Sequence, residues 1–369
     1  MQTTQLIPFN DLSLGVAEHR VALDAAVARV LDSGWYVLGQ EGKAFEEEFA
    51  AACGAAHAVG VGSGTDAIEL ALRVLGIGPG DEVVTQANTC VPTVAAIERA
   101  GATPVLCDVE AQAGTMDPAS LAGALTEKTR AVVPVHLYGQ CADTDAIAAL
   151  CAERGIDVVE DCAQAVGAEL RGRPAGTVGR LGCFSFYPTK NLAALGDAGA
   201  VVTNDEVLAE RLRLVRQYGQ SDRYRHVVAG VNSRLDELQA AVLRARLPHL
   251  PRWNQRRATI AAAYTQALAD TPVRPLAQFA DRRHVFHLFV VDAPDRDALG
   301  AHLDAAGIQT LIHYPTPIHR HPPYRRLADG PVPLSISERF CERILSVPLY
   351  PELRDDEVER VAEALRTFP

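Results

Sequence analysis

The chain has 369 residues, 48% of them hydrophobic, and a formal net charge of −11. This length accommodates one large α/β domain and a smaller one. Because no basic run is present to neutralise a phosphate backbone, nucleic-acid binding is not expected as the main role. No apolar stretch reaches the roughly 18 residues of a membrane span. Residues 1–15 lack the charged region and apolar run of a signal peptide.

The eight cysteines are scattered along the chain, and no C-x-x-C pair occurs. A zinc ribbon or a redox motif is therefore disfavoured, and reduced thiols in a cytoplasmic protein are predicted. His319 and His321 form an H-x-H motif, but no acidic or cysteine partner lies at ligand spacing nearby. We therefore predict no metal site.

Short apolar runs alternate with helical patterns through the first half of the chain. HAVGVGSG precedes TDAIELALRVLGI, DEVVTQ precedes VPTVAAIERAGA, and RAVVPVHLYG precedes TDAIAALCAERG and IDVVED. This rhythm predicts an α/β fold with a mostly parallel sheet between helices. The carboxyl ends of several strands then lie on one edge, where ligands gather.

The pattern changes after Lys190. AGAVVTND reads as a strand, and NSRLDELQAAVLRARL as a helix that begins with Ser233 and Asp236 at capping-box spacing. We place a domain boundary near Leu250, which gives a large domain of residues 1–250 and a small α/β domain of residues 251–369. The small domain has strand candidates at HVFHLFVV and IQTLIHY.

A glycine-rich turn, Gly62-Ser63-Gly64-Thr65, lies between a predicted strand and a predicted helix. Free backbone amides at a helix N-terminus bind anions, and small residues let a phosphate approach closely. The alternative is an ordinary β-to-α turn capped by Thr65 or Asp66.

Asp161 follows the run Val158-Val159-Glu160 and should end a strand above the crevice. Lys190 follows the apolar residues of CFSFYPTK, which favour its neutral, nucleophilic form. Each has a plain alternative, since Asp161 could cap a turn beside a solvated Glu160 and Lys190 could be a surface lysine. Together with the glycine-rich turn, a carboxylate and an amine are what a pyridoxal phosphate (PLP) site needs.

The chain resembles the DegT/DnrJ/StrS family of nucleotide-sugar aminotransferases, which have the aspartate-aminotransferase fold (PLP fold type I). The resemblance covers nearly the whole chain and rests on several motifs together: SGWYVLGQEGKAFEEEFA, VGSGTDAIELAL, VVEDCAQAVGAE, CFSFYPTKNLAALGDAGA, GVNSRLDELQAAVL and LIHYPTPIH.

The resemblance implies a role for each matching residue. Lys190 would form the Schiff base with PLP and then shuttle the proton, and Asp161 would pair with the pyridinium nitrogen. Gln164 would lie near the ring hydroxyl. The phosphate would be bound by residues of this subunit and one of its neighbour, so the active sites of a homodimer would be shared: Gly64, Thr65 and Ser185, with Asn232 from the neighbouring subunit.

One position departs from the family pattern. Many members have an aromatic residue that stacks on the cofactor ring where this chain has Cys90. Cysteine is small and polarizable, so it can still pack there. Since Lys190 is present, the resemblance implies transamination rather than the family's dehydratase branch.

The substrate implied by the resemblance is a dTDP-linked 3-keto-6-deoxyhexose, aminated at C-3. Tyr187, His313 and Tyr314 would face the sugar, although Tyr187 could instead be core and the other two could simply end a strand. L-Glutamate would give its amino group to the cofactor, leaving 2-oxoglutarate and pyridoxamine phosphate. The keto sugar would then accept the amino group from pyridoxamine phosphate. Two rivals remain open: amination at C-4 of a 4-keto sugar, and a non-catalytic PLP-binding regulatory protein.

Overall fold

The computed structural model describes residues 5–369. The strands are β1 (His57–Val61), β2 (Glu82–Gln86), β3 (Thr103–Cys107), β4 (Thr129–Val133), β5 (Asp157–Asp161), β6 (Glu169–Leu170), β7 (Arg173–Pro174), β8 (Leu181–Ser185), β9 (Gly199–Thr203), β10 (Gln220–Asp222), β11 (Arg225–His226), β12 (Arg274–Pro275), β13 (Arg282–Arg283), β14 (Phe289–Asp292) and β15 (Ile344–Val347).

The α-helices are α1 (Leu12–Glu18), α2 (Arg20–Ser33), α3 (Gln40–Cys53), α4 (Gly64–Val74), α5 (Val91–Arg99), α6 (Pro118–Ala124), α7 (Thr144–Ala152), α8 (Glu206–Val215), α9 (Glu237–Arg246), α10 (Leu250–Ala267), α11 (Arg296–Ala305), α12 (Ser335–Arg343) and α13 (Asp355–Arg366). None of the helices in residues 5–369 is long and apolar enough to cross a membrane.

The main sheet has seven strands in the order β1-β9-β8-β5-β4-β2-β3. Strands β3, β2, β4, β5 and β8 run parallel, whereas β9 is antiparallel to both β8 and β1. Strand β9 reverses because it follows β8 directly, without the crossover helix that a parallel return requires. The prediction of a mostly parallel sheet in an α/β fold is confirmed.

Apolar side chains cover both faces of this sheet. Along β8, Cys183 belongs to one buried cluster and Phe184 to another, which is the alternation of a strand packed on both sides. On the second face Phe184 meets Phe49 of α3 edge-on, with ring centroids 5.1 Å apart. Packing on both faces leaves the strand ends as the place for polar groups.

A three-stranded antiparallel sheet, β12-β14-β15, forms the smaller unit. Its buried cluster draws on α10, α11 and α13, and Ile7 joins it from the N-terminal segment. We retain Leu250, the first residue of α10, as the proposed domain boundary, with this N-terminal segment packed on the small domain.

Two local predictions are wrong, and a third is right only in part. Asp236 precedes α9 without a side-chain cap bond, and Ser233 instead bonds Gly62 and Asp66 through its hydroxyl. The segment IQTLIHY makes only isolated bridges, at Ile308 and Leu311. The strand predicted at HVFHLFVV begins only at Phe289, because the chain before it bonds to the loop after β4.

Candidate active site

The carboxyl ends of β1, β5 and β8 share one edge of the main sheet. The predicted residues Gly64, Asp161 and Ser185 lie at these ends: Gly64 begins α4 just after β1, Asp161 ends β5, and Ser185 ends β8. Parallel strands bring residues far apart in sequence to one edge, which is why the crevice forms here.

Gly64 and Ser185 approach each other closely in this crevice. A β-carbon added to Gly64 would lie 2.6 Å from the Cβ of Ser185 and 3.2 Å from its Oγ. Ser63 is the N-cap of α4, and its hydroxyl accepts a hydrogen bond from the Asp66 amide at 3.1 Å. The alternative of Thr65 or Asp66 as the cap is therefore wrong. Since Ser63 caps the helix, Gly64 and Thr65 occupy its first turn, whose amides have no partner within the helix.

The carboxylate of Asp161 is buried and held at both oxygens. Its Oδ2 accepts a hydrogen bond from the Thr93 hydroxyl at 2.9 Å, and its Oδ1 accepts one from the Ala163 amide at 3.1 Å. Burial raises the pKa of Asp161, while these two donors and the charge of Lys190 oppose the rise. A cation placed beside this carboxylate would stabilise its charged form.

Lys190 lies in the loop between β8 and β9, partly buried, and its amide bonds the carbonyl of Tyr187 at 2.8 Å. Burial lowers the pKa of its ammonium group, against the attraction of Cys90 and Asp161. A lysine with a lowered pKa more readily supplies the neutral amine that attacks a carbonyl. Cys90, the N-cap residue of α5, lies near Lys190, and burial raises the pKa of its thiol.

Gln164 links two other residues of the cleft, Tyr138 and Tyr314. Its Oε1 accepts a hydrogen bond from the Tyr138 amide at 2.7 Å, and its amide nitrogen donates to the Tyr314 hydroxyl at 3.1 Å. The hydroxyl of Tyr138 donates to the carbonyl of His313 at 2.5 Å. These bonds fix the His313-Tyr314 segment against the strand ends. Burial and the charge of Lys190 lower the pKa of His313 to about 4, so its ring is neutral near pH 7.

Two predicted residues stand apart from this cluster. Tyr187 is 51% exposed, so the alternative that it belongs to the core is wrong. Asn232 is exposed, and its neighbour Ser233 binds the Gly62 amide at 2.9 Å. Within one chain Asn232 therefore lies behind the glycine-rich turn, and its reach into a neighbouring subunit remains a prediction.

Several residues of the site were not predicted from the sequence. Thr93 reaches Asp161 from α5, and a helical threonine carries no signal of that contact. Tyr138 follows β4 and has a φ of 61°. Its position after a strand was a usable signal, because ligands gather at the carboxyl ends of parallel strands, and this rule identified Asp161.

Glu160 is fully buried, so the alternative that it is solvated is wrong. Its carboxylate accepts hydrogen bonds from three backbone amides and from His136 Nε2 at 2.8 Å. The amides belong to Gly176, Val178 and Gly179. Glu160 therefore holds the loop before β8 against β5.

His136, Glu160 and Cys162 place three possible metal-ligand atoms within 4.8 Å of one another. The Glu160 oxygens already accept four hydrogen bonds, and His136 Nδ1 accepts the Ala142 amide at 3.1 Å. These atoms are therefore satisfied by the protein. His319 bonds Glu338 at 2.8 Å, which supplies an acidic partner that the sequence did not indicate.

The residues of the crevice fit PLP. The free amides of Gly64 and Thr65 in the first turn of α4, beside the Ser185 hydroxyl, suit a phosphate at a helix N-terminus. Asp161 supplies a buried carboxylate for the ring nitrogen, and Lys190 an amine of lowered pKa. An α/β fold with these groups at one sheet edge defines the class of PLP-dependent enzymes that work through a lysine.

The chain belongs to the DegT/DnrJ/EryC1/StrS aminotransferase family, whose model matches residues 18–366. It is 50% identical over 366 residues to the dTDP-3-amino-3,4,6-trideoxy-α-D-glucose transaminase of Streptomyces venezuelae, covering 99% of this chain and 97% of the relative. The crystal structure of DesV from S. venezuelae in complex with a ketimine intermediate matches with a TM-score of 0.96 and 50% identity, covering 98% of both chains.

A second structure, NtdA from Bacillus subtilis with bound pyridoxamine phosphate (PMP), matches with a TM-score of 0.91 and 28% identity, covering 99% of this chain and 85% of NtdA. The predicted family, the aminotransferase class and the PLP cofactor are thereby confirmed. Relatives in the family act on nucleotide-linked keto sugars or their amino products.

Proposed function

We propose that this protein transfers the amino group of L-glutamate to C-3 of a dTDP-linked 3-keto-6-deoxyhexose, giving a dTDP-3-amino-3,6-dideoxyhexose and 2-oxoglutarate. The observation that carries the chemistry is the meeting of Lys190 and Asp161 with the cradle of Gly64 and Ser185 at one sheet edge. Support for C-3 comes from the 50% identity to a transaminase named for a 3-amino sugar.

Gly64, Thr65 and Ser185 would hold the phosphate of the cofactor, and Asp161 would keep its ring nitrogen protonated. When bound, the protonated ring accepts the electron pair left by the broken Cα–H bond. Lys190 would move the proton between the Cα of the amino donor and the carbon of the cofactor, which its lowered pKa favours because a base must first be neutral. Gln164 would orient the ring, and Cys90 would pack over its face.

Tyr187, His313 and Tyr314 would contact the hexose. Tyr187 has half of its surface exposed at the mouth of the Lys190 loop, where a large substrate can reach it. The Nδ1 of the neutral His313 imidazole lies 2.9 Å from the Ser346 hydroxyl, so Nε2 is the nitrogen that would bond a sugar hydroxyl.

The active unit would be a homodimer, with Asn232 of each chain completing the phosphate site of its neighbour. We place the enzyme in the cytoplasm. All eight cysteines are free, as expected of a reducing compartment.

The first experiment is the visible spectrum of the purified protein with PLP, recorded before and after addition of L-glutamate. Loss of the yellow band followed by amination of dTDP-3-keto-6-deoxyglucose, with the product identified by NMR, supports the proposal. Amination of the 4-keto isomer instead would move the reaction to C-4. A yellow protein unchanged by glutamate would favour a non-catalytic role or another donor.

A further inference from the structure

Arg257 of α10 is a buried cation that is satisfied on one side only. Only 5% of the residue is exposed. Its Nη1 donates to three backbone carbonyls, those of Phe286 (3.2 Å), His287 (3.3 Å) and Leu349 (2.9 Å). Its Nε has no hydrogen-bond partner within residues 5–369. Burying a charged group is costly unless it is paired, so a half-satisfied guanidinium calls for an explanation.

No carboxylate of the described chain forms an ion pair with Arg257. Glu352 attracts it only from a greater distance. Burial raises the pKa of Glu352, which disfavours the charged form of that carboxylate. Burial also lowers the pKa of Arg257 to about 10, which still leaves it positively charged near pH 7.

Two cavities meet at this guanidinium. The smaller one, about 70 Å³, is lined by Lys190 and Arg257, and also by the carboxylates Asp11 and Glu352. The larger one, about 300 Å³, is lined by Arg257, His287, Gln309 and His313 among others, and its described lining contains no Asp or Glu. Thr189 belongs to both walls. On the side of the larger cavity, next to Thr189 of the Lys190 loop, Arg257 thus faces no carboxylate.

The two histidines of the larger cavity do not carry its charge. Burial and the charge of Lys190 lower the pKa values of His287 and His313, so both rings are neutral near pH 7. His287 is also fixed, because its Nδ1 lies 3.2 Å from the side chain of Asn191, which bonds Asn254 at 2.8 Å. Arg257 is therefore the charged side chain in the lining of the larger cavity, and its neighbour His287 is held in place by hydrogen bonds.

We propose that Arg257 binds the α-carboxylate of the amino donor during the first half-reaction. This inference rests on the proposed function, because any amino-acid donor carries a carboxylate on the carbon that bears its amine. When the donor amine is at the cofactor beside Lys190, the carboxylate on the same carbon enters the cleft with it, and a cation in the wall of the cleft would stabilise its charge. The planar guanidinium can bind both carboxylate oxygens, which an ammonium cannot do with the same geometry. The keto sugar has no carboxylate, so its half-reaction does not need this charge.

The test separates the two half-reactions in single-turnover experiments that follow the cofactor's absorbance. In Arg257→Gln, the glutamate concentration giving half the maximal rate should rise about 10- to 100-fold. The PMP-loaded variant should react with the keto sugar within about threefold of wild type, since no carboxylate is lost there. Arg257→Lys should recover part of the glutamate affinity.

Arg256→Gln is the matched control. Arg256 is the preceding residue of α10, bonds the Leu353 carbonyl and Asp355, and lines neither cavity. Both half-reactions of this variant should match wild type. Equal losses in the two half-reactions of Arg257→Gln would reduce Arg257 to a structural role and overturn the proposal.

A measurement without variants covers the case in which Arg257→Gln fails to fold. Maleate, an unreactive dicarboxylate, is titrated into the wild-type PLP-loaded protein by calorimetry and located in a crystal structure. A carboxylate bonded to the Arg257 guanidinium supports the proposal, and maleate bound away from Arg257 contradicts it. If the wild-type protein does not react with glutamate, the proposed function fails. The position of maleate still tests whether Arg257 binds a carboxylate.

Discussion

The hydroxyl of Thr93 on α5 donates a 2.9 Å hydrogen bond to Asp161 at the end of β5, 68 residues further along the chain. With the Ala163 amide on the other oxygen, it favours the charged carboxylate in a site where burial raises the pKa of Asp161. Thr93 is therefore expected to keep Asp161 ready for the cationic ring of the cofactor.

Thr93→Val nearly preserves the shape of the side chain and removes this donor. We expect the pKa of Asp161 to rise further, because the charged form loses a hydrogen bond. The affinity for PLP should fall about tenfold, and more steeply as the pH is lowered. Titrations with PLP between pH 5 and pH 8 measure both effects. Thr93→Ser, which keeps the hydroxyl, should behave like wild type, and an identical loss in Thr93→Ser would refute the role.

Gly64→Ala places a methyl group where the Cβ of Ser185 would lie 2.6 Å away. One of the two segments must move, so we expect PLP affinity to fall at least about tenfold, as in other overpacked sites that cost roughly 1–3 kcal/mol. Gly300→Ala is the control, because Gly300 lies within α11 and a β-carbon there meets no atom within 4 Å. That change should leave PLP affinity intact and stabilise the protein by about 0.5–1 kcal/mol. Unchanged PLP binding in Gly64→Ala would exclude Gly64 from the phosphate site.

Lys190→Ala removes the amine proposed to move the proton. Turnover should fall by at least about a thousandfold, within the range for loss of a general base, while the variant still binds PMP. Burial lowers the pKa of Lys190 below its value in the unfolded chain, so a buried amine that is protonated at neutral pH costs the cofactor-free protein stability. The variant without cofactor should thus melt no lower than wild type at neutral pH. Lys43→Ala, at an exposed position of α3, should retain full activity, and full activity of Lys190→Ala would contradict the mechanism.

Glu160→Gln tests the buried carboxylate beneath the site. Burial by itself would raise the pKa of Glu160. The hydrogen bonds from His136 and from the amides of Gly176 and Gly179 outweigh this effect and hold the pKa below the ordinary value of 4.5. A carboxylate whose folded pKa lies below its unfolded value stabilises the fold above the unfolded pKa and loses that contribution as pH falls. Wild type should therefore lose stability below about pH 4.5, and the variant should lose about 2–4 kcal/mol at pH 7 with a flatter acid dependence.

Melting temperatures between pH 3.5 and pH 7 provide this comparison. Glu169→Gln is the control, because Glu169 pairs with Arg283 near the surface and such pairs contribute about 0–1 kcal/mol. Equal effects of the two substitutions would show that the buried hydrogen bonds of Glu160 contribute little.

The sequence by itself determined the layered α/β architecture and the family. Short apolar runs followed by helical patterns leave few arrangements besides a parallel sheet covered by helices. The strand-end rule also located Asp161, and the motif order located Lys190 and the glycine-rich turn. These features are local, or depend only on the direction of the chain through a sheet.

Only the tertiary structure decided which distant groups meet. Thr93, Tyr138 and Arg257 touch their partners across 68, 175 and up to 92 residues of sequence, and no local pattern encodes such contacts. The structure also showed that Glu160 is buried and bonded, because the fate of a strand-end acid depends on which loop closes over it. Long-range packing decides which side chains are buried, and burial shifts the pKa values of Asp161 and Lys190. These shifted pKa values are what suit the crevice to proton transfer.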